Sequence, residues 1–275
     1  MTKELAVVIG AGGMGASVAR RMARQYQVLL ADIDAQRADA VARMVCDEGG
    51  SASGVHCDVT IQDSVNLLAD RVREEGGFRV LVHVAGLSPT MGDFDRILRV
   101  NLVGPAMVQA ALLPAVRPGS VAVLISSLAA HLCSFGPQVE AVLRDGACDL
   151  ELPARLREVI GNERADSNTA YQLSKFGLVM LCRRRAADWG ARAARIVSLS
   201  PGLIATPMGA LEFASNPSKR ALFEKSPQKR EGTMEEIADA VEFLVSDRAA
   251  FISGTDLLVD GGLAGTLNDL PFRAP

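Results

Sequence analysis

Short apolar runs alternate with longer segments of helical periodicity along most of the chain. Runs rich in aliphatic and β-branched residues predict strands, and apolar residues that recur every three or four positions predict helices. Seven strands are predicted, at Leu5–Ile9, Gln27–Ala31, Ala52–Cys57, Val80–Val84, Ser120–Ser126, Arg195–Leu199 and Leu257–Val259. Strands that alternate with helices predict a parallel sheet with helices on both faces. The sequence therefore predicts a doubly wound α/β fold, one domain over residues 1–275, with ligands bound beyond the carboxyl ends of the strands.

Two segments interrupt this alternation. Leu132–Asn168 is longer than a connection between a strand and a helix needs, and it carries short helical patterns around Val139–Arg144 and Pro153–Ile160. Pro207–Gly232 combines prolines with mixed charge and has a helical pattern near Lys219–Lys225, which predicts a partly mobile flap over the substrate. We expect substrate specificity to be decided in these two segments.

The composition argues against several classes of function. The formal net charge is −3, whereas proteins that bind a phosphate backbone normally carry an excess of clustered Lys and Arg, so no nucleic-acid partner is expected. His56, His83 and His131 stand alone, without the spacing of metal ligands. No metal site is therefore predicted.

The chain is expected to be soluble and cytoplasmic. Its N-terminus lacks the order of a secretory signal, and glycines, charges and turns interrupt every apolar stretch before it approaches the ~20 residues that span a bilayer. The five cysteines are scattered, with no Cys-x-x-Cys spacing. We expect reduced thiols and no membrane partner.

A glycine-rich turn follows the first predicted strand and leads into a helix predicted from about Ala16 to Gln25. Its sequence is Gly10-Ala11-Gly12-Gly13-Met14-Gly15. Glycines between a strand and a helix permit a tight turn and let backbone N–H groups approach a pyrophosphate, which the helix N-terminus also favours. The alternative is a glycine-rich turn with no ligand.

An acidic residue follows the second predicted strand. Asp32 lies about 20 residues beyond the glycine turn, where a carboxylate can bind the ribose hydroxyls of an adenosine. The carboxylate would repel a 2′-phosphate, and neither the glycine turn nor Ile33–Gln36 carries a Lys or Arg. The pattern predicts NAD(H) over NADP(H), the alternative being that Asp32 or Asp34 caps the next helix.

Tyr171 and Lys175 lie at the start of a long helix predicted from Thr169 to about Trp189. A spacing of four puts both side chains on one helical face. A neighbouring ammonium stabilises a phenolate, which lowers the pKa of tyrosine from its usual value near 10 and makes it a usable proton donor and acceptor. Taken alone, such a pair is more often structural than catalytic.

These pieces occur in an order that resembles the short-chain dehydrogenase/reductase family from Leu5 to Gly262. Besides the Tyr171 and Lys175 pair, the resemblance rests on Cys57-Asp58-Val59-Thr60, Ala85-Gly86, Val100-Asn101-Leu102, Ile125-Ser126-Ser127, the segment from Ser200 to Thr206, Gly254 and Val259-Asp260-Gly261-Gly262. It implies a Rossmann fold, an NAD(H)-dependent oxidoreductase that acts on an alcohol or ketone, and a homodimer or homotetramer.

Carried over position by position, the resemblance implies a catalytic set of four residues. Tyr171 would transfer the proton, and Ser127 would hydrogen-bond the reacting oxygen. Lys175 would hold the nicotinamide ribose and tune Tyr171, and Asn101 would anchor a water in the proton relay. Ser126 is set aside, because strand alternation points it away from Ser127 and the family places its catalytic serine second in the pair.

The resemblance also implies a set of cofactor contacts. The glycine turn would bind phosphate through Gly10, Gly12, Gly13, Met14 and Gly15, and Asp32 would bind the ribose. Tyr171 and Lys175 would contact the nicotinamide half. The other implied contacts are Asp58 with the adenine amino group, the backbone of Val59, Ala85, Gly86, Pro201, Gly202, and Ile204 and Thr206 with the carboxamide.

Three features depart from the family pattern. The glycine turn is preceded by Ile9 and has a shorter spacing between its first glycines. His83-Val84-Ala85-Gly86 replaces Asn-Asn-Ala-Gly and removes an amide that braces the sheet. Ser127 and Tyr171 lie much further apart than is usual, so residues 132–168 are mostly inserted. This insertion is expected to roof the substrate cleft or to alter a helix-mediated subunit interface.

Substrate identity stays open at this point. Apolar residues near the expected cleft favour an apolar secondary alcohol such as a hydroxysteroid, or they only pack the flap and insertion; they are Leu132, Phe135, Leu203, Met208, Leu211 and Phe213. The competing functions are a non-catalytic NAD-binding regulator on the same fold and an isomerase or dehydratase that uses NAD transiently.

Overall fold

The computed structural model describes residues 3–206 and 217–268, and the seven predicted strands form one sheet in it. Every neighbouring pair is parallel, in the order β3-β2-β1-β4-β5-β6-β7. The strands are β1 (Leu5–Ile9), β2 (Gln27–Asp32), β3 (Ala52–His56), β4 (Phe78–His83), β5 (Val116–Ile125), β6 (Arg195–Pro201) and β7 (Asp256–Val259). The doubly wound α/β prediction is confirmed.

The largest difference from the predicted strands is at the start of β5, which begins at Val116 instead of Ser120. The register with β4 shifts between Phe78 and Val80, and Gly119 adopts a φ of +84°, in the region that favours glycine. This irregularity lengthens the strand in a way that an apolar alternation does not show.

Helices cover both faces of the sheet. The helices before the insertion are α1 (Gly13–Ala23), α2 (Ala35–Asp47), α3 (Gln62–Glu74), α4 (Phe94–Leu98) and α5 (Gly104–Leu112). Those that follow are α6 (Pro137–Asp145), α7 (Leu152–Ile160), α8 (Ser167–Gly190), α9 (Pro217–Lys225), α10 (Met234–Val245) and α11 (Leu263–Asn268). The expected helices of the insertion, the catalytic segment and the flap are all present, with ends that differ by a few residues.

The two faces have separate cores. Helices α3, α4, α5 and α8 bury their apolar residues on one face, against side chains such as Leu81 and Leu124. Helices α1, α2 and α10 cover the other face, against side chains such as Val80 and Val123. The order of the strands reverses at β1. The chain adds β2 and β3 on one side of β1 and then returns to add β4 on the other side, which opens a crevice at the carboxyl ends of β1 and β4.

The insertion packs on the outside of the first face. Val139, Leu143, Leu152, Leu156 and Ile160, from α6 and α7, are buried in the same core as α8. Helix α6 contacts α8, and α7 contacts α4. The insertion is thus an added layer on the helices that carry the catalytic candidates.

One apolar stretch is longer than the sequence analysis expected. Phe94–Ala115 is helical over 22 residues, long and apolar enough by length and composition to cross a membrane, but 67% of its most apolar window is buried inside the protein. Pro105 does not break it, because it closely follows the π-helical turn Arg99–Val103, where the regular i→i−4 hydrogen bonds are already interrupted. The expectation that every apolar stretch is interrupted was wrong here, and burial makes this a core helix.

Candidate active site

The glycine turn is shaped by two close backbone approaches. Gly10 has a φ of +101°, and a Cβ on it would lie 2.7 Å from the backbone nitrogen of Ala85. A Cβ on Gly15 would overlap the carbonyl oxygen of Gly10. The turn therefore packs against both the loop after β4 and the first turn of α1, which only glycine permits at these places.

The N-terminus of α1 is open to a ligand. Gly12 is its N-cap residue and makes no side-chain cap, and the first turn has no acidic residue. A Cβ on Gly12 would meet nothing within 4 Å. Gly13 and Met14 begin the helix, so their N–H groups belong to the uncapped first turn, where an anion is stabilised. This end of the helix fits a pyrophosphate.

The side chains of Asp32 and Asp34 accept hydrogen bonds from different parts of the backbone. The Asp32 side chain is buried, and its Oδ2 accepts from the backbone N–H of Ala11 at 2.6 Å. Its Oδ1 accepts from the N–H of Asp34 at 2.9 Å. Asp34, not Asp32, caps α2 by accepting from the N–H of Arg37. Asp32 thus joins the end of β2 to the glycine turn, as a carboxylate at the ribose position should.

One basic residue near Asp32 was missed by the sequence analysis. Nη1 of Arg37 lies 4.0 Å from Oδ1 of Asp32, and its Nη2 lies 3.3 Å from Oδ2 of Asp34. Arg37 is the first residue after the segment searched for a cation, and the first turn of α2 brings it back over the β2 carboxylate. Its guanidinium partly offsets the charge of Asp32.

The turn after β3 carries Asp58 and Val59, the two predicted contacts with the adenosine half. Oδ1 of Asp58 accepts from the backbone N–H and the hydroxyl of Thr60, at 2.9 and 2.7 Å. The backbone N–H of Asp58 donates to Oγ of Ser64. Val59 is buried beside Gly104, where a Cβ would lie 2.7 Å from Val59 Cγ2. The turn is therefore rigid, with Asp58 half-buried at its surface.

Asn101 joins two parts of the site. It is buried in a π-helical turn, Arg99–Val103, between α4 and α5. Its Nδ2 donates to the carbonyl oxygen of Leu87 at 2.9 Å, and its Oδ1 accepts from the N–H of Leu87 at 2.7 Å. A Cβ on Gly86 would lie 3.3 Å from that Oδ1. The amide thus fixes the loop after β4, which begins with Ala85 and Gly86.

Tyr171 and Lys175 lie together on the first turns of α8. Nζ of Lys175 lies 5.7 Å from the centre of the Tyr171 ring and donates to the carbonyl oxygen of Ile125 at 3.0 Å. Burial lowers the pKa of Lys175 to about 8. A Cβ on Gly86 would lie 3.6 Å from the same Nζ. The ammonium is therefore placed between the tyrosine and the loop after β4.

The two serines that follow β5 point to different environments. Ser126 is buried, and its hydroxyl donates to the carbonyl oxygen of Lys175 at 2.9 Å. Ser127 is half-buried, and its Oγ accepts from the N–H of Ala129 at 3.2 Å as the cap of a short 3₁₀ helix, Leu128–His131. Ser126 holds α8 to the sheet, and Ser127 is the more exposed of the two.

The segment after β6 closes the nicotinamide side. A Cβ on Gly202, which follows Pro201, would lie 2.6 Å from Cα of Asp260. Leu203 and Ala205 pair through backbone hydrogen bonds with Gly232, and Ile204 forms an isolated bridge to it. Thr206 is the last residue before the undescribed segment, so Met208, Leu211 and Phe213 of the expected cleft lie outside the described residues.

The insertion reaches the catalytic helix through aromatic contacts. Phe135 packs edge-on against Phe176, with ring centres 5.4 Å apart, on the same core as Tyr171. The guanidinium of Arg157 lies over the ring of Phe94 and pairs with Asp95, which fixes α7 to α4. Leu132 is 38% exposed, so the insertion both packs on α8 and offers apolar surface near Ser127.

Comparisons with known proteins identify the family of the chain. A family model described as short chain dehydrogenase matches residues 4–138, and one described as enoyl-(acyl carrier protein) reductase matches residues 157–264. A short-chain dehydrogenase/reductase (bsc3) of Alternaria brassicicola is 35% identical over 98% of each chain. The chain belongs to the short-chain dehydrogenase/reductase family.

Two further similarities extend this assignment. D-threitol dehydrogenase of Mycolicibacterium smegmatis is 32% identical over 94% of this chain and 92% of that protein. The crystal structure of gox2181 has the same fold, with a TM-score of 0.78 at 24% identity over 96% of this chain and 97% of that one. As a family member, the protein is an oxidoreductase that acts on CH–OH groups and binds a nicotinamide cofactor.

Proposed function

We propose that this protein is an NAD(H)-dependent dehydrogenase or ketone reductase that acts on an apolar secondary alcohol, of which a hydroxysteroid is one example. The observation that carries the proposal is the meeting of Tyr171 and Lys175 with Gly86 and Asn101 at the carboxyl ends of β4 and β5. A nucleotide-binding regulator needs the crevice but has no use for this second set of side chains.

The chemistry follows from the positions of these groups. When bound, the nicotinamide ring accepts a hydride from the carbinol carbon or returns it to a ketone. Tyr171 takes the hydroxyl proton during oxidation and gives it back during reduction. The Lys175 ammonium lies close enough to stabilise the phenolate, and Ser127 hydrogen-bonds the reacting oxygen. Asn101 holds the loop against which the nicotinamide ribose would rest.

The preference for NAD(H) is argued from charge. Asp32 is a buried carboxylate at the end of β2, next to the crevice, and a 2′-phosphate beside it would meet electrostatic repulsion. Arg37 offsets this repulsion only in part, because its side chain is about half exposed and lies 4.0 Å away. We therefore expect NADH to bind at least ~10-fold more tightly than NADPH.

Titration with NADH and NADPH tests this preference. Trp189 is fully buried, so the fluorescence of the reduced cofactor is the better signal. Asp32→Asn keeps an acceptor for Ala11 but removes the charge. It should bring the ratio of the dissociation constants for NADPH and NADH closer to one. Asp34→Asn is the matched control, because Asn also caps a helix well. Tighter binding of NADPH to the wild type would overturn the preference, and NADH binding without any turnover would favour a regulator.

The apolar substrate class is supported by the surface beside Ser127. Leu132 is exposed and Phe135 is half-buried, whereas Leu203 packs on Leu128 and Leu263. We expect kcat/KM for a cyclic apolar secondary alcohol to exceed that for D-threitol by at least ~10-fold, and Leu132→Asn to reduce this ratio. A preference of the wild type for the polyol would overturn the assignment of the substrate class.

The proposal includes a role for residues 132–168. Because α6 packs on α8 and Phe135 on Phe176, we propose that residues 132–168 form one wall of the substrate cleft. Phe135→Ala should raise KM for an apolar alcohol and leave NADH binding unchanged; an unchanged KM would contradict the role.

We expect a cytoplasmic homodimer or homotetramer, which mass measurement in solution and imaging of a tagged chain would test.

A further inference from the structure

His83 is a buried polar residue in the middle of the sheet. The strand registers place Ile9, His83, Leu124 and Ser198 side by side in one row across β1, β4, β5 and β6. His83 is the last residue of β4 and is 2% exposed. It comes two residues before Ala85 and three before Gly86 of the loop that follows β4.

The imidazole has one nitrogen without a partner. Nε2 of His83 is buried and has no hydrogen-bond partner among the described residues. A neutral imidazole has one donor and one acceptor nitrogen, so Nε2 can serve as the acceptor. An unpaired buried acceptor costs free energy, so it indicates a donor that reaches this place in the working protein.

A charged donor lies at the end of the neighbouring strand β5, where the Lys175 ammonium binds the residue that follows Leu124, the partner of His83. The ammonium has three N–H donors, and Ile125 accepts from Nζ at 3.0 Å. The charge of Lys175 acts together with burial to lower the pKa of His83 to about 3, so the imidazole is neutral at physiological pH. In the protein without cofactor, a buried ammonium with N–H donors beyond the one that Ile125 accepts thus lies at the end of the strand next to a buried nitrogen that lacks a partner.

The described titratable groups on this side of the sheet include Cys182 of α8, and burial raises the pKa of its thiol, which keeps it neutral. Tyr171 is the titratable neighbour of Lys175 on α8, and His83 is the one on β4. Further along the sheet, Asp256 of β7 is held by the hydroxyl of Ser200 and by the ring of His131. The π-helical turn carries the half-buried Arg99 and the neutral amide of Asn101, which is held by Leu87.

We propose that His83 is a positioning residue of the catalytic pair, whose Nε2 accepts a hydrogen bond from the Lys175 ammonium through one buried water molecule. The site is polar on two sides, as a bridging water requires. The inference rests on the proposed function in one respect, namely that Tyr171 is the residue that transfers the proton.

The expected effect on the catalytic pair has a definite sign. Removing the acceptor destabilises the charged form of Lys175 and lowers its pKa further. A lysine that is less often charged stabilises the tyrosinate less, so the pKa of Tyr171 rises. His83 would therefore keep Tyr171 usable as a base at a lower pH than burial of Lys175 alone would allow.

The chain has two tyrosines, which makes a direct test possible without substrate or cofactor. In a Tyr26→Phe background, the absorbance of tyrosinate reports Tyr171 alone. His83→Leu should raise the pKa of Tyr171 by about one unit, and His83→Gln, which supplies an amide acceptor, should restore most of it. Ser198→Ala is the matched control, because it removes another buried polar group of the same row, two strands away from His83.

Two outcomes overturn the proposal: a Tyr171 pKa unchanged by His83→Leu, or an equal shift in Ser198→Ala. If the leucine variant does not fold, imidazole ¹⁵N spectra of the wild type decide. His83 should stay neutral above about pH 5, with Nε2 as a hydrogen-bonded acceptor, and Lys175→Met should change its Nε2 shift. An Nε2 chemical shift of His83 that is the same in the wild type and in Lys175→Met overturns the proposal. Absence of dehydrogenase activity, by itself, contradicts only the proposed function.

Discussion

The cofactor half and the catalytic half of this site are constructed in different ways. In the cofactor half, backbone shape decides: Gly10 and Gly15 allow close approaches, and Asp32 closes the turn from the next strand. In the catalytic half, distant segments meet: Ser126, next to Ser127, donates to the carbonyl oxygen of Lys175, although residues 132–168 separate them in the sequence. The first half should therefore be sensitive to an added Cβ at its close approaches, and the second to the loss of a functional group from a side chain.

The largest effect is expected from Tyr171→Phe, in the catalytic half. The ring stays, but the proton donor and acceptor is lost, so kcat should fall by ~10²–10⁴-fold while NADH still binds. Steady-state kinetics and cofactor titration measure the two effects separately. Tyr26→Phe is the control and should retain activity. A Tyr171→Phe enzyme with near-normal kcat would remove tyrosine from the proton transfer.

Gly15→Ala should produce the corresponding failure in the cofactor half. The added methyl group overlaps the carbonyl oxygen of Gly10, so the turn must move, at a cost of about 3 kcal/mol of unfolding free energy. Urea denaturation measures this loss. Gly12→Ala adds its methyl group in open space and should cost less than about 1 kcal/mol. Equal losses in the two variants would show that the close approach is not what requires glycine.

Acid should weaken the fold through His83, which lies between the two halves. Burial and the Lys175 charge lower its folded pKa to about 3, below the unfolded value near 6.5, so the unfolded chain binds the extra proton first. Its contribution is complete above about pH 6.5 and is lost as the pH falls toward about 3. At about pH 5 the loss is about 2 kcal/mol. The pH dependence of urea midpoints should be flatter in His83→Gln, and an unchanged slope would contradict this assignment.

The smallest effect is expected from Ser126→Ala. The variant loses the hydroxyl bond to the Lys175 carbonyl, worth about 1 kcal/mol of stability, and should change kcat by only a few fold. Ser127→Ala is the matched comparison and should lower kcat by at least ~10-fold. Thermal unfolding and kinetics on both variants separate the roles. A larger loss of kcat in Ser126→Ala would reverse the assignment of the two serines.

Much of the fold could be predicted because strand and helix periodicities are local properties of the chain. The seven strands and the helices of residues 132–168 follow from apolar spacing. The largest error is the start of β5 at Val116, where an irregular register is not visible in that spacing. The approach of Arg37 to Asp32 escaped because it depends on the first turn of α2 folding back over β2. The environment of His83 escaped because an isolated histidine carries no pattern.

The sequence by itself determined the order of the elements, the glycine turn and the types of the catalytic residues. Only the tertiary structure decided that Asp34 caps α2 while Asp32 joins the glycine turn. It also decided that Ser126 is buried while Ser127 is the more exposed serine, and that Nε2 of His83 is buried without a partner among the described residues. The physical reason is the distance along the chain over which each kind of interaction acts. Backbone preferences act over a few residues, whereas burial, charge and hydrogen bonding at the site depend on segments that meet only when the sheet is complete.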